Sequence, residues 1–211
     1  MRKIATTLKL AVVGMALMFS TASTAQIDVK MNILGMAFNQ YQVGGEYILS
    51  EEMSAGLTIS YAINKVTVST GDGLGDIDEE RKFTGFQMVP AFRFYFNPDH
   101  DCEGFYAEPH FRFMQRGAKG LDWYTYDSTG LQSKITYDRK TTAFGAGISF
   151  GKKWVTDAGF FFGTGFGIGK NFVKNTTWSD PTVTAWHEEN NFDLGINIYL
   201  RLALNIGWRF G

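Results

Sequence analysis

Asp28, Lys30, Glu46, Arg93, Glu108, Arg112, Arg116, Arg201 and Arg209 fall on the polar side of segments whose apolar residues recur at every second position. Charges of both signs gathered on one face and withdrawn from bulk water need partners. Two chemistries follow. Carboxylate–guanidinium pairs can fill and seal an interior, or a chain of ionisable groups can pass protons or ions along it. The first predicts one lumen charge network in which Glu46 and Glu108 pair with Arg93, Arg112 or Arg201.

Other groups with chemical potential are weaker. Gly163-Thr164-Gly165-Phe166-Gly167-Ile168-Gly169 has the look of a phosphate loop, but such a loop must follow a strand and open a helix. Here the glycines alternate with apolar residues and form the small face of a strand, making room for bulky neighbours. Asp72, Asp76, Asp78, Glu79 and Glu80 offer the oxygen ligands that calcium prefers, without the EF-hand spacing, and read as a solvated acidic loop. Asn97-Pro98-Asp99-His100-Asp101-Cys102-Glu103 contains metal-capable groups at a place where Asn, Pro and Asp serve a tight turn. Nucleophilic catalysis requires a hydroxyl, a histidine and a carboxylate to converge. His100 falls in a turn, His110 on the lumen face, and His187 in a loop with Glu188 and Glu189. No catalytic residue, metal site or cofactor is predicted.

The elements that must position these groups are strands. From Phe192 to Phe210 every even-numbered residue is apolar, and the odd positions are polar, small or aromatic. Only a long strand with one oily face produces that period. Similar alternation recurs in seven earlier segments, which begin near Ile27, Tyr41, Met53, Phe86, Phe105, Phe144 and Phe160. Connections at 50–52, 97–102 and 155–157 are tight, whereas those at 65–82, 117–138 and 173–190 are long; the first hairpin, around 38–40, is short. Tight turns on one side and long loops on the other describe an eight-stranded antiparallel transmembrane β-barrel with both termini at the turn side.

Volume decides which face looks outward. The apolar faces carry roughly forty bulky side chains, whereas an eight-stranded barrel has room inside for little more than one set of side chains. The oily face therefore meets lipid, and the Gly-, Ala- and Ser-rich face with its charges lines the lumen. Phe94, Phe96, Trp154, Trp208 and Phe210, with Phe105 and Phe160, fall at the turn-side strand ends, as an interfacial aromatic girdle requires.

The first residues carry Arg2, Lys3 and Lys9, then the apolar run 10–19, then Ser20-Thr21-Ala22-Ser23-Thr24-Ala25. This pattern predicts a signal peptide over 1–25, cleaved after Ala25, and a single barrel domain over 26–211. Loss of those three cations moves the formal net charge from −1 to about −4, which disfavours nucleic acid as a partner. The lone Cys102 cannot form an internal disulfide.

In its leader, strand count, unequal connections and aromatic final strand, the chain resembles the small outer-membrane barrels of Gram-negative bacteria, the OmpX and OmpW types and the OmpA barrel domain. The resemblance implies location in the outer membrane, contact with its lipid and lipopolysaccharide, and recognition of the C-terminal aromatic by the barrel-assembly machinery. Trp208-Arg209-Phe210 supplies that aromatic, although Gly211 follows it. No catalytic motif of the group carries over.

The function expected is non-enzymatic: a structural, surface-interaction or adhesion role, with a channel or transporter for hydrophobic or ionic solutes as the alternative and a lipid-modifying enzyme third. A bilayer-crossing strand needs only about 9 to 11 residues. Leu200–Phe210 is therefore sufficient to cross, and Phe192, Leu194, Ile196 and Ile198 form a surplus ridge beside the short first strand. That ridge or the outer loops are the predicted places for a protein partner.

Overall fold

The computed structural model describes residues 26–71, 76–96, 98, 101–126, 132–189 and 197–211. Eight strands run in chain order around a closed ring: β1 Ile27–Asn32, β2 Gln40–Ser50, β3 Met53–Gly71, β4 Asp76–Phe96, β5 Gly104–Tyr126, β6 Gln132–Val155, β7 Phe160–Trp178 and β8 Ile198–Phe210. All neighbours are antiparallel, and β1 closes on β8 with Ile27 opposite Phe210 and Asn32 opposite Asn205. Among the described residues two helices interrupt the pattern, α1 at Ile33–Met36 and α2 at Pro181–Glu189.

The period of two in the sequence becomes two surfaces. Ile59, Tyr61, Phe94, Phe113, Phe150, Phe166, Leu200 and Leu202 are exposed on the outer wall, while Ser60, Arg93, Arg112, Ser149 and Asn205 are buried inside it. Solvent-exposed apolar residues over a whole closed wall are stable only in hydrocarbon, so this is an outer-membrane-type transmembrane barrel. Phe94, Phe96, Phe105, Trp154, Phe160, Trp208 and Phe210 stand exposed around its turn end. Adjacent Lys152 and Lys153 point opposite ways: Lys152 Nζ lies 4.8 Å from the Phe105 ring centre and 5.1 Å from that of Trp154, while Lys153 is buried inside. A lysine whose stem lies along interfacial aromatics keeps its head in water.

Three sequence expectations change. Residues 65–82 and 117–138 are largely strand rather than loop, because β3 and β4 stay paired out to Gly71 opposite Asp76, and β5 and β6 to Tyr126 opposite Gln132. Val66, Thr67, Thr136 and Tyr137 favour extended backbone. The oily alternation fades there because neither face of the extension meets lipid. Part of 173–190 is likewise β7, followed by α2. The last strand is described from Ile198, so Phe192, Leu194 and Ile196 lie outside the described residues, as do residues 1–25.

The β1–β8 seam is short. Above Asn32, α1 stands where β1 would continue, and among the described residues the outer half of β8 has no strand on this side. Asn32 joins the two. Its Oδ1 accepts from Leu34 and Gly35 N–H at the start of α1 and also from Leu204 N–H at 3.2 Å, and its Nδ2 donates to the Leu202 carbonyl at 3.2 Å. One side chain thus caps a helical turn and extends hydrogen bonding along the free edge of β8.

Candidate functional site: a lumen of two unlike halves

The turn-side half of the lumen is filled by ion pairs. Glu46 comes from β2, Arg93 from β4, Glu108 from β5, Lys153 from β6, Arg201 and Arg209 from β8, and Asp28 and Lys30 from β1. Each projects inward because it occupies the polar parity of its strand. Arg93 spans the two glutamates, with Nη1 at 2.7 Å from Glu46 and its Nε donating to Glu108. Arg201 donates to the other oxygen of Glu108. Lys30 reaches Glu46 at 3.0 Å, and Lys153 bridges Asp28 and Glu46. Arg209 grips Asp28 through Nε at 2.8 Å and Nη2 at 3.1 Å.

Neutral groups complete this cluster. The Tyr95 and Ser54 hydroxyls each donate to Glu46 Oε1 at 2.8 Å, and the Arg93 guanidinium lies 4.3 Å from the centre of the Tyr106 ring. Asp28, Glu46, Glu108 and Lys153 expose 2% of their surface or less. Carboxylates so buried need hydrogen-bonded partners, and here every oxygen of Asp28, Glu46 and Glu108 accepts at least one donor. Glycines make room for the rings: a Cβ on Gly151 would strike Tyr106, and one on Gly169 would strike Tyr199.

Arg112 stands apart from the network predicted for it. Its Nε donates to Gln87 Oε1 at 2.9 Å, its Nη2 approaches Met114 Sδ at 2.9 Å, and its guanidinium stacks 4.3 Å from the Tyr199 ring centre. The strand register explains this. Arg112 lies four residues beyond Glu108 along β5, two inward positions up, and His110 and Tyr199 occupy the layer between. Sequence reasoning named Glu46, Arg93, Glu108 and Arg201 for the network, left Lys153 and Tyr95 out of it, and placed Asp28 and Lys30 only on the same face. The signal for Lys153 was its parity, one position out of step with the lipid-facing Trp154.

His110 is the histidine nearest to a catalytic arrangement among the described residues. Its Nδ1 lies 3.4 Å from Ser149 Oγ, but also 3.2 Å from the Glu108 carbonyl, and its Nε2 is 3.1 Å from the Tyr199 hydroxyl. A ring whose Nδ1–H faces the carbonyl and whose Nε2 accepts from Tyr199 has no lone pair left to activate Ser149. The side chain of His187, the whole of His100, and the acidic side chains of 72–80 lie outside the described residues. At the turn, Cys102 and Glu103 have structural roles: the thiol donates to the Ser50 carbonyl at 3.3 Å and Glu103 accepts from Val155 N–H at 3.2 Å. Burial pushes the Cys102 thiol up to about 12.

Beyond Tyr199 the lumen opens into a cavity of about 1240 Å³ with Arg112 and Ser60 at its inner end, and it extends to Phe38, Ile198 and Leu200 at the seam. None of the residues of the ion-pair cluster lines it.

The sequence matches a family model over residues 10–209, one described as "Protein of unknown function (DUF3575)". The chain belongs to the DUF3575 family. Three solved structures are similar to it. CarO2 of Acinetobacter baumannii is 8% identical, covering 88% of this chain and 98% of its own, with a TM-score of 0.41. A major outer membrane protein from Thermus thermophilus is 11% identical over 89% and 100%, with a TM-score of 0.43. Ail of Yersinia pestis, solved with the heparin analogue sucrose octasulfate, is 10% identical over 88% and 99%, with a TM-score of 0.41. For this DUF3575 member, ring closure and strand register carry the fold assignment. No curated protein sequence matches the chain.

Proposed function

We propose that this protein is exported by a leader cleaved after Ala25 and works as a sealed, non-enzymatic outer-membrane barrel that acts at its external end, by surface interaction or adhesion. The observation carrying this reading is the buried ion-pair cluster linking β1, β2, β4, β5, β6 and β8 across the turn-side half. An aqueous path would have to break several of these pairs at once, each strongly unfavourable to break when buried. Lysines on the outer wall support orientation in a phosphate-bearing leaflet: Lys82 stands opposite Lys119, both exposed just beyond the apolar band. Like charges directly opposite one another repel, and lipid phosphates of the lipopolysaccharide class would offset that cost.

In planar bilayers the purified protein is expected to give no steady conductance, and a large steady conductance would overturn the sealed reading. A second reading, sideways exchange of a small solute with the membrane, is favoured by one observation: the cavity reaches the seam at Ile198 and Leu200. Tying α1 to β8 with a disulfide between Cys introduced at Leu34 and Leu202 would abolish such exchange and leave surface binding unchanged.

A further inference from the structure

The outer half of the lumen has a charge balance opposite in kind to the cluster beneath it. Arg112, Arg116, Arg139 and Lys174 line the cavity, and no carboxylate among the described residues does. They come from neighbouring strands: Arg112 and Arg116 lie on β5, Arg139 on β6 and Lys174 on β7, all at inward positions of the ladder. Arg112 is 7% exposed, yet its nearest groups are an amide oxygen, a thioether and a ring face. Each offers only partial negative charge to a full guanidinium. Arg116, Arg139 and Lys174 form no ion pair among the described residues.

Two further atoms in the same cavity are unsatisfied. Ser60, 1% exposed, and Asn171 both line it, and Ser60 Oγ and Asn171 Oδ1 are buried without a hydrogen-bond partner. Buried polar atoms are normally paired, so such orphans mark a place where something else binds. A hydroxyl can donate to an anion, and the Asn171 carbonyl oxygen needs a donor. The site therefore suits a ligand with an anionic group and a nearby O–H or N–H.

We propose that the outer lumen is a binding cup for a phosphate, sulfate or carboxylate group, with Arg112 as its floor, Arg116, Arg139 and Lys174 as its walls, and Ser60 and Asn171 as auxiliary contacts. The anion arrives free from outside or as the headgroup of a lipid leaning in through the seam at Phe38 and Leu200. The sealed-barrel reading enters only in excluding arrival from the turn side, and conductance is read separately from binding, so either can fail alone.

The test uses the full mature barrel in nanodiscs of zwitterionic lipid. Inorganic phosphate and sulfate are titrated in one arm, and a phosphatidic-acid-doped nanodisc is compared with the undoped one in the other, each read by thermal unfolding and by isotope-labelled amide shifts of Ser60 and Asn171. Saturable shifts with the free anions assign a soluble ligand, shifts only with the doped lipid assign a headgroup, and shifts in neither overturn the cup. R112Q should weaken the response at least tenfold. R139Q with K174Q, both exposed positions, provides the check if R112Q does not fold, and a response unchanged in that double variant would overturn the assignment.

Discussion

The two halves of this lumen are built on the same strands yet solve opposite problems. Toward the turns, three carboxylates, Asp28, Glu46 and Glu108, interlock with five cations, Lys30, Arg93, Lys153, Arg201 and Arg209. Toward the outside, four cations face a cavity with no acid among its described lining residues. The boundary is a single layer, His110 and Tyr199, above which Arg112 has exchanged an ion pair for a ring face. What differs is the role of charge: below, it neutralises itself and fills space; above, it is left available.

This contrast can be broken from below with the largest effect. Replacing Glu46 by Gln leaves Arg93, Lys30 and Lys153 short of negative charge inside the wall, and breaking a buried pair from one side costs about 3–5 kcal/mol. Urea unfolding of the bilayer-folded barrel should register that loss, and replacement of Glu108 should behave alike. Next comes the seam. Changing Asn32 to Ala removes a helix cap and two bonds to the β8 edge, for a loss of about 1–2 kcal/mol, visible as faster amide exchange at Leu204 than at Ile206. From above, Arg112 to Gln should move stability by less than about 1 kcal/mol, or raise it, because the variant removes a buried cation that has no counter-charge. A loss as large as that of the Glu46 variant would erase the distinction between the halves.

The smallest effect concerns the turn. With its thiol raised to about 12 by burial, Cys102 should stay protonated and unreactive toward thiol reagents at pH 8 to 9 in the folded barrel, and label promptly in denaturant. For a thiol, a raised folded value means that the stability it contributes is complete below its unfolded range near 9 and is lost as pH rises toward 12. Mass spectrometry of the exported protein should find Gln26 at the amino terminus.

The barrel was legible because lipid and lumen enforce opposite parities: Phe111 with Arg112, or Trp208 with Arg209, can be read as outside and inside from the sequence alone. The extensions were not. From Lys65 to Gly71 and from Gly117 to Tyr126 no lipid rewards an oily face, so the alternation that marks a strand disappears while the backbone pairing continues. Within the site, parity gave the face of each charge but not its neighbours across the ring, which depend on strand register. Arg93 and Arg201 lie at the height of the glutamates and bond them, Arg112 lies two inward positions above Glu108, and Lys153, flanked by Lys152 and Trp154, joins them from β6. The orphaned atoms of Ser60 and Asn171 left no trace in the sequence at all.

The central claim is that one lumen is closed below Tyr199 and open above it. The most direct measurement is labelling of single cysteines at Thr141, in the outer cavity, and at Ser149, in the layer beneath, by a membrane-impermeant maleimide added from either side of sealed vesicles. Rapid labelling at position 141 from the outer side only, with none at 149 from either side, is the predicted result; comparable rates at both positions would contradict it.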